Sequence, residues 1–174
     1  MAGGTYFFTV VTYHRQTWLT DDDARQSLRE GIALAHRALP FEIDPRVLLP
    51  DHLHCVWTLP PGDANFTVRW AIIKRHVTRC CGARLHRDEW MTASKQQRHE
   101  SPLWQRRYWE HQIRDEADFR RHIDYLHWNP VKRGYVDEVA QRPYSTFHRH
   151  VRNGVYPMNW GGSPIEDDGA ILGE

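Results

Sequence analysis

The order of elements in this sequence predicts an α+β domain with a mainly antiparallel sheet of the split βαβ kind, flanked by helices. Three observations carry that prediction. Short β-branched and aromatic runs alternate with longer stretches of helical period, two of those runs are separated only by a Pro-Asp corner, and 174 residues are enough for one hydrophobic core but not for two full domains.

Tyr6 to Thr12 (YFFTVVT) reads as a buried strand. Thr20 to Asp23 offers an N-cap and an acidic first turn, and Leu28, Ile32, Leu34, Ala35 and Leu39 then follow at roughly helical spacing until Pro40 stops them. Phe41 to Leu49 (FEIDPRVLL) and His52 to Leu59 (HLHCVWTL) are two more strands, joined at Pro50-Asp51 as a hairpin. In Asn65 to Cys80, Phe66, Trp70, Ile73 and Val77 form the apolar stripe of a helix whose other face carries Arg69, Lys74, Arg75 and Arg79. Residues 82 to 101 read as a polar surface loop, Trp104 to Ile113 as a fourth strand, and Asp115 as the cap of a last helix that Pro130 ends. The final forty residues read as a tail wrapping the domain.

Composition narrows the chemistry. Hydrophobic residues make up 40% and charged residues 26%, which excludes wholesale disorder and fibrous builds. No apolar run approaches the ~18 residues of a membrane span and the N-terminus lacks a signal-peptide pattern, so a cytoplasmic protein without membrane partners is expected. Cys55, Cys80 and Cys81 are too few and too oddly placed for a disulfide framework or a Cys-based zinc site. Any metal must therefore rest on His, carboxylate or amide groups, and 12 histidines are available. The net charge of +1 conceals an asymmetry: residues 69–134 carry 15 Lys and Arg against 8 Asp and Glu, so the middle of the chain is basic and the remainder acidic. A basic zone suits a polyanion, and it equally suits a set of solvated helix faces.

His52-Leu53-His54 lies on a strand, where residues i and i+2 share a face, so two imidazoles converge on one point. They interrupt an otherwise apolar run, and they are either metal ligands or hydrogen-bonded core histidines. A second such triplet, His148-Arg149-His150, sits in the tail and reads as solvated surface. Tyr125 and Asn129 are i and i+4 on the last helix, hence neighbours. Tyr125 is either a core residue or a nucleophile, since a phenol attacks phosphorus well beside a metal or positive charge, and Asn129 offers a neutral oxygen ligand.

The strings VLLPDHLHCVWTLP, LWQRRYWEHQIRDEADFRRHIDYLHWNPVKRGYV and RPYSTFHRHV resemble the REP-associated tyrosine transposases, a branch of the single-tyrosine HUH, IS200-like transposases, over residues 4 to 160. That resemblance implies a ferredoxin-like antiparallel sheet carrying the histidine pair, with an HUH transposase domain over 1–150 and a C-terminal tail over 151–174. It implies that His52, His54 and Asn129 bind a divalent metal, Mg²⁺ or Mn²⁺, and that Tyr125 is the nucleophile that cleaves single-stranded DNA through a 5′-phosphotyrosine link. The implied partner is a palindromic single-stranded hairpin flanked by an unpaired tetranucleotide, met by a monomer or a homodimer.

Lys74, Arg75, Arg79, Arg106, Arg107, Arg114, Arg120, Arg121, Lys132 and Arg133 are the candidates for its phosphate track, and Trp104, Tyr108 and Trp128 can either stack on bases or pack in the core. Two rivals are a hairpin-binding protein that does not cut, and a metallohydrolase built on the H-x-H pair with Asp51 or Asp124 as further ligands.

Overall fold

The computed structural model describes residues 3–161. Four strands form one sheet: β1 (Thr5–Val11), β2 (Glu42–Leu48), β3 (His52–Thr58) and β4 (Trp109–Gln112), in the order β2-β3-β1-β4 with every neighbouring pair antiparallel. The helices are α1 (Asp22–Ala38), α2 (Phe66–Leu85), the short α3 (Ala93–Gln97), α4 (Glu116–Lys132) and α5 (Phe147–Arg152). This is the mixed α+β architecture the sequence predicts, an antiparallel sheet with helices on both faces. No helix among the described residues is long and apolar enough to cross a membrane.

Strand alternation divides the core in two. Phe8, Val10, Leu53, Cys55 and Trp57 point to one face, where they join Leu28, Trp70, Ile73 and Val77 of α1 and α2. Trp57 stacks on Trp70 with ring centroids 4.2 Å apart. The two helices approach closely at Gly31, where an added Cβ would lie 3.3 Å from the backbone of Ile73. On the opposite face Phe7, Val47, Leu49 and Val56 pack against Tyr125 and Leu126 of α4.

Four expectations need correction. Helix α2 runs to Leu85, and 82–101 also holds a 3-10 turn at Asp88–Trp90 and α3, so the segment is not a plain loop. Strand β4 is only four residues long, and Trp104 contributes an isolated bridge to Thr12 instead of continuing it. Pro130 lies inside α4, which continues to Lys132, because a proline this near the C-terminus removes only one of the last intrahelical bonds and the turn closes through Arg133 N–H to Asn129 and Tyr135 N–H to Pro130.

Arg69 is the fourth: it is fully buried, donating to both carboxylate oxygens of Asp63 and to the carbonyls of Leu39 and Pro40, so it pins the start of α2 instead of facing solvent. Of the expected tail, residues 151–161 are described and carry Tyr156 and Trp160 packed on Phe147, while 162–174 lie outside the described residues.

Candidate active site

The pairing register builds the site. Thr9 of β1 stands opposite His54 of β3, and Val11 opposite His52. Both histidines are buried and face α4, and their ring centroids are 4.7 Å apart. Thr9 Oγ1 lies 2.9 Å from His54 Nδ1, which fixes the orientation of that imidazole. His52 is oriented from the corner between β2 and β3, where Asp51 Oδ1 lies 2.6 Å from its Nδ1.

Asp51 is itself held by Arg15 at 3.0 Å and by the hydroxyl of Tyr135 at 3.1 Å. Burial pushes the Asp51 carboxyl up, but its hydrogen bonds to His52, Arg15 and Tyr135 outweigh that and hold it well below the usual carboxylate range. Arg15 reaches it from a 3-10 turn in which both His14 and Arg15 adopt φ of 52°. Two consecutive non-glycine residues in the left-handed region cost of order 1 kcal/mol each, part of which the Arg15–Asp51 pair offsets.

Helix α4 brings the other half. Asn129 Nδ2 donates to the Tyr125 hydroxyl at 3.1 Å, and Asn129 Oδ1 faces His52 Nε2 at 3.2 Å. Tyr125 is 1% exposed, its ring 5.5 Å from that of His54 and its face 5.1 Å from the ammonium of Lys132. Thus His52, His54, Tyr125 and Asn129, separated by up to 77 positions in sequence, meet on one face of the sheet.

The donor chemistry tests whether a cation fits there. With Nδ1–H of His52 given to Asp51, Nε2 presents a lone pair, and with Nδ2 of Asn129 given to Tyr125, Oδ1 presents another. Two lone pairs 3.2 Å apart repel unless something positive lies between them or beside them. Adjacent ligands of an octahedral cation about 2.1 Å from each are about 3 Å apart, so the spacing fits. A proton on Nε2 satisfies the same pair.

A second cluster lies nearer the start of α4. Ligand atoms of His111, Asp118 and His122 fall within 4.8 Å of one another, a set whose chemistry could hold a divalent cation. The two imidazoles are stacked nearly parallel, 4.5 Å apart at 13°, and Asp118 already accepts from Arg114 and Arg121. Parallel rings do not aim their in-plane lone pairs at one point, and two guanidiniums repel a cation. Burial raises the Asp118 carboxyl, but the bonds from Arg114, His111 and Arg121 hold it well below the usual range.

The expected phosphate track divides. Lys74, Arg75, Arg79 and Arg106 line one cavity of about 490 Å³ between α2 and the segment before β4. Burial there pushes the Lys74 ammonium down to about 8. Arg107 and Arg133 are exposed and Lys132 flanks Tyr125, whereas Arg114 and Arg121 pair with Asp118 and Arg120 with Glu116. Among the aromatics, Trp104 is a core residue at 5% exposure, packed on Trp18, while Tyr108 and Trp128 are half-buried.

His148 and His150 are not plain solvated surface either. Both are half-buried, and His150 lies 3.2 Å from His127, tying α5 to α4. Thr9, Asp51, Arg15 and Tyr135 are the residues sequence reasoning missed as supports. Only Asp51, adjacent to the H-x-H pair, carried a signal that could have found it.

No protein-family model matches the chain. It is 44% identical to the REP-associated tyrosine transposase of Escherichia coli over 92% of this chain and 86% of that protein. A Haemophilus influenzae protein assigned to the same family is 41% identical over 93% of this chain and 90% of its own length. A solved structure of a REP-associated tyrosine transposase bound to a REP hairpin superposes with a TM-score of 0.81 at 42% identity, covering 100% of this chain and 93% of that one. A sheet-borne histidine pair facing a helical Tyr-x-x-x-Asn, together with identity above 40% along almost the whole length, places this chain in the family of REP-associated tyrosine transposases.

Proposed function

We propose that this protein cuts and rejoins single-stranded DNA at REP-type hairpins, with Tyr125 as nucleophile and His52, His54 and Asn129 as ligands of Mg²⁺ or Mn²⁺, on a ferredoxin-like split βαβ scaffold. One observation carries the reading: Asn129 touches both the Tyr125 hydroxyl, at 3.1 Å, and His52, at 3.2 Å, so a nucleophile and a ligand set share one side chain. The relatives' names, and the REP hairpin bound in the related structure, support the substrate.

In this reading the Tyr125 oxygen attacks the phosphorus of a phosphodiester. The bond from phosphorus to the 3′-oxygen breaks, leaving a 5′-phosphotyrosine and a 3′-hydroxyl that gains the proton the phenol gives up. No water is consumed, so the step reverses when another 3′-hydroxyl attacks. Lys132 holds positive charge over the phenol ring, and Asn129 fixes the direction of its hydroxyl. Asp51 and Thr9 fix the two imidazoles. A divalent cation held by His52, His54 and Asn129 would supply charge stabilisation at a nonbridging phosphate oxygen. Imidazole donors favour Mn²⁺ over Mg²⁺, which prefers oxygen.

The test is incubation with a labelled hairpin oligonucleotide carrying an unpaired foot, with Mn²⁺. The expected result is a protein-DNA adduct that survives denaturant, formed from the hairpin and not from a blunt duplex. Hairpin binding with no adduct under any divalent cation would leave a non-cutting hairpin binder instead.

A further inference from the structure

A cavity lies on the other face of the sheet from Tyr125. It has a volume of about 600 Å³, and its floor is apolar: Leu28 and Ile32 of α1, Leu48 of β2 and Leu53 of β3. Leu53 is the residue between the two site histidines, so this cavity backs directly onto the histidine pair across one strand. Its rim is cationic. Arg25, Arg29, Arg37 and Arg46 all line it, with His36, and no Asp or Glu does.

Arg25 is committed, paired with Asp22 and stacked 4.4 Å over the Tyr144 ring. Arg29, Arg37 and Arg46 are exposed; Arg29 donates to Gln26 and lies in the field of its neighbour Glu30, whereas Arg37 and Arg46 make no ion pair with a carboxylate among the described residues. In a protein whose net charge is only +1, and outside the basic stretch 69–134, a ring of arginines around an apolar floor is a local field that neither the sheet nor the helix needs for folding. Apolar floor and guanidinium rim together match an unpaired nucleotide, its base against the leucines and its flanking phosphates on the arginines.

We propose that this cavity is a second contact for the DNA strand, taking an unpaired nucleotide that passes around the β2 edge from the Tyr125 face. The proposal rests on the DNA reading above. Its test is hairpin binding by the full chain over a range of salt, comparing wild type with Arg37→Ala/Arg46→Ala and Arg37→Lys/Arg46→Lys. The alanine pair is expected to bind about 10- to 100-fold more weakly near 0.1 M salt, with the slope of log affinity against log salt reduced by about 2, and the lysine pair to recover most of both.

Wild-type hairpin carrying 5-iododeoxyuridine at its unpaired positions is also expected to photo-crosslink to a peptide holding His36 or Tyr144, a readout that needs no variant to fold. If wild type binds the hairpin while the alanine pair matches it in affinity and slope, and all crosslinks map elsewhere, the cavity proposal is overturned and the Tyr125 reading stands. Unchanged DNA binding with a shifted sedimentation coefficient in the alanine pair would assign the face to a second copy of the chain and equally overturn it. Weakened hairpin binding in the alanine pair, where wild type forms no adduct, would uphold the cavity and overturn cleavage.

Discussion

The two faces of the sheet are equally dry and chemically opposite. Toward α1 and α2, strands β1 and β3 present Phe8, Val10, Leu53, Cys55 and Trp57, and toward α4 they present Phe7, Thr9, Val11, His52, His54 and Val56. Every one of these residues is buried. Burial therefore does not separate core from site; partnership does. On the first face the side chains are held by packing, with the indole N–H groups of Trp57 and Trp70 left without a hydrogen-bond partner, so that face accounts for stability. On the second, each polar group is oriented by another: Thr9 holds His54, Asp51 holds His52, and Asn129 links His52 to Tyr125. Such chains of buried hydrogen bonds are rigid when complete and costly when broken.

The comparison breaks most sharply at Tyr125. Tyr125→Phe should eliminate the covalent adduct while lowering stability by about 1–3 kcal/mol, the cost of leaving the buried Asn129 amide without its acceptor. Gel analysis beside thermal melting checks both halves, and full adduct formation by the Phe variant would move the nucleophile elsewhere. Trp70→Ala is the converse on the dry face. It removes the stack on Trp57 and should cost about 3–5 kcal/mol in urea unfolding, with adduct formation per folded molecule unchanged.

Asp51→Asn probes the support instead of the ligand. It should weaken Mn²⁺ binding about 10- to 100-fold by titration calorimetry, because His52 loses the carboxylate that sets its tautomer. A variant that binds the ion as tightly as wild type would show that Asp51 does not set His52 for binding.

The smallest effect concerns pH. Asp118 has its carboxyl held below the ordinary value, so its contribution to stability is complete above about pH 4, where the unfolded carboxyl is also ionised, and is lost as pH falls through the folded value. Asp118→Asn should therefore lower stability at neutral pH and flatten the acid limb of the stability profile below pH 4, measured by urea unfolding across pH. An unchanged acid limb would mean that His111, Arg114 and Arg121 do not anchor the start of α4 through this carboxylate.

Much of this architecture is legible in the sequence because it rests on local periodicity. The alternation in HLHCVWTL sets which residues of β3 face α4, and the i, i+4 spacing sets Tyr125 beside Asn129. What escapes is whatever depends on register and long-range contact. Thr9 meets His54 only because β1 and β3 pair in one register, and Tyr135 and Arg15 reach Asp51 from 84 and 36 positions away. Arg69 shows the reverse failure: its place on a basic helix face predicted solvent, and Asp63 with three carbonyls took it inside. The arginines around the Leu53 cavity come from α1 and β2, two segments whose charges nearly vanish in a count along the chain and add only when folded together.

If Tyr125 is the nucleophile, DNA becomes bonded covalently to one tyrosine, on α4, beside the two β3 histidines. The most direct measurement is mass spectrometry of the proteolysed adduct formed with a hairpin oligonucleotide and Mn²⁺. The expected result is a single nucleotide-bearing peptide whose modified residue is Tyr125, absent when His54→Ala replaces wild type. A nucleotide found on Tyr108, Tyr135 or any other residue, or an adduct on Tyr125 that forms equally well in His54→Ala, would contradict it.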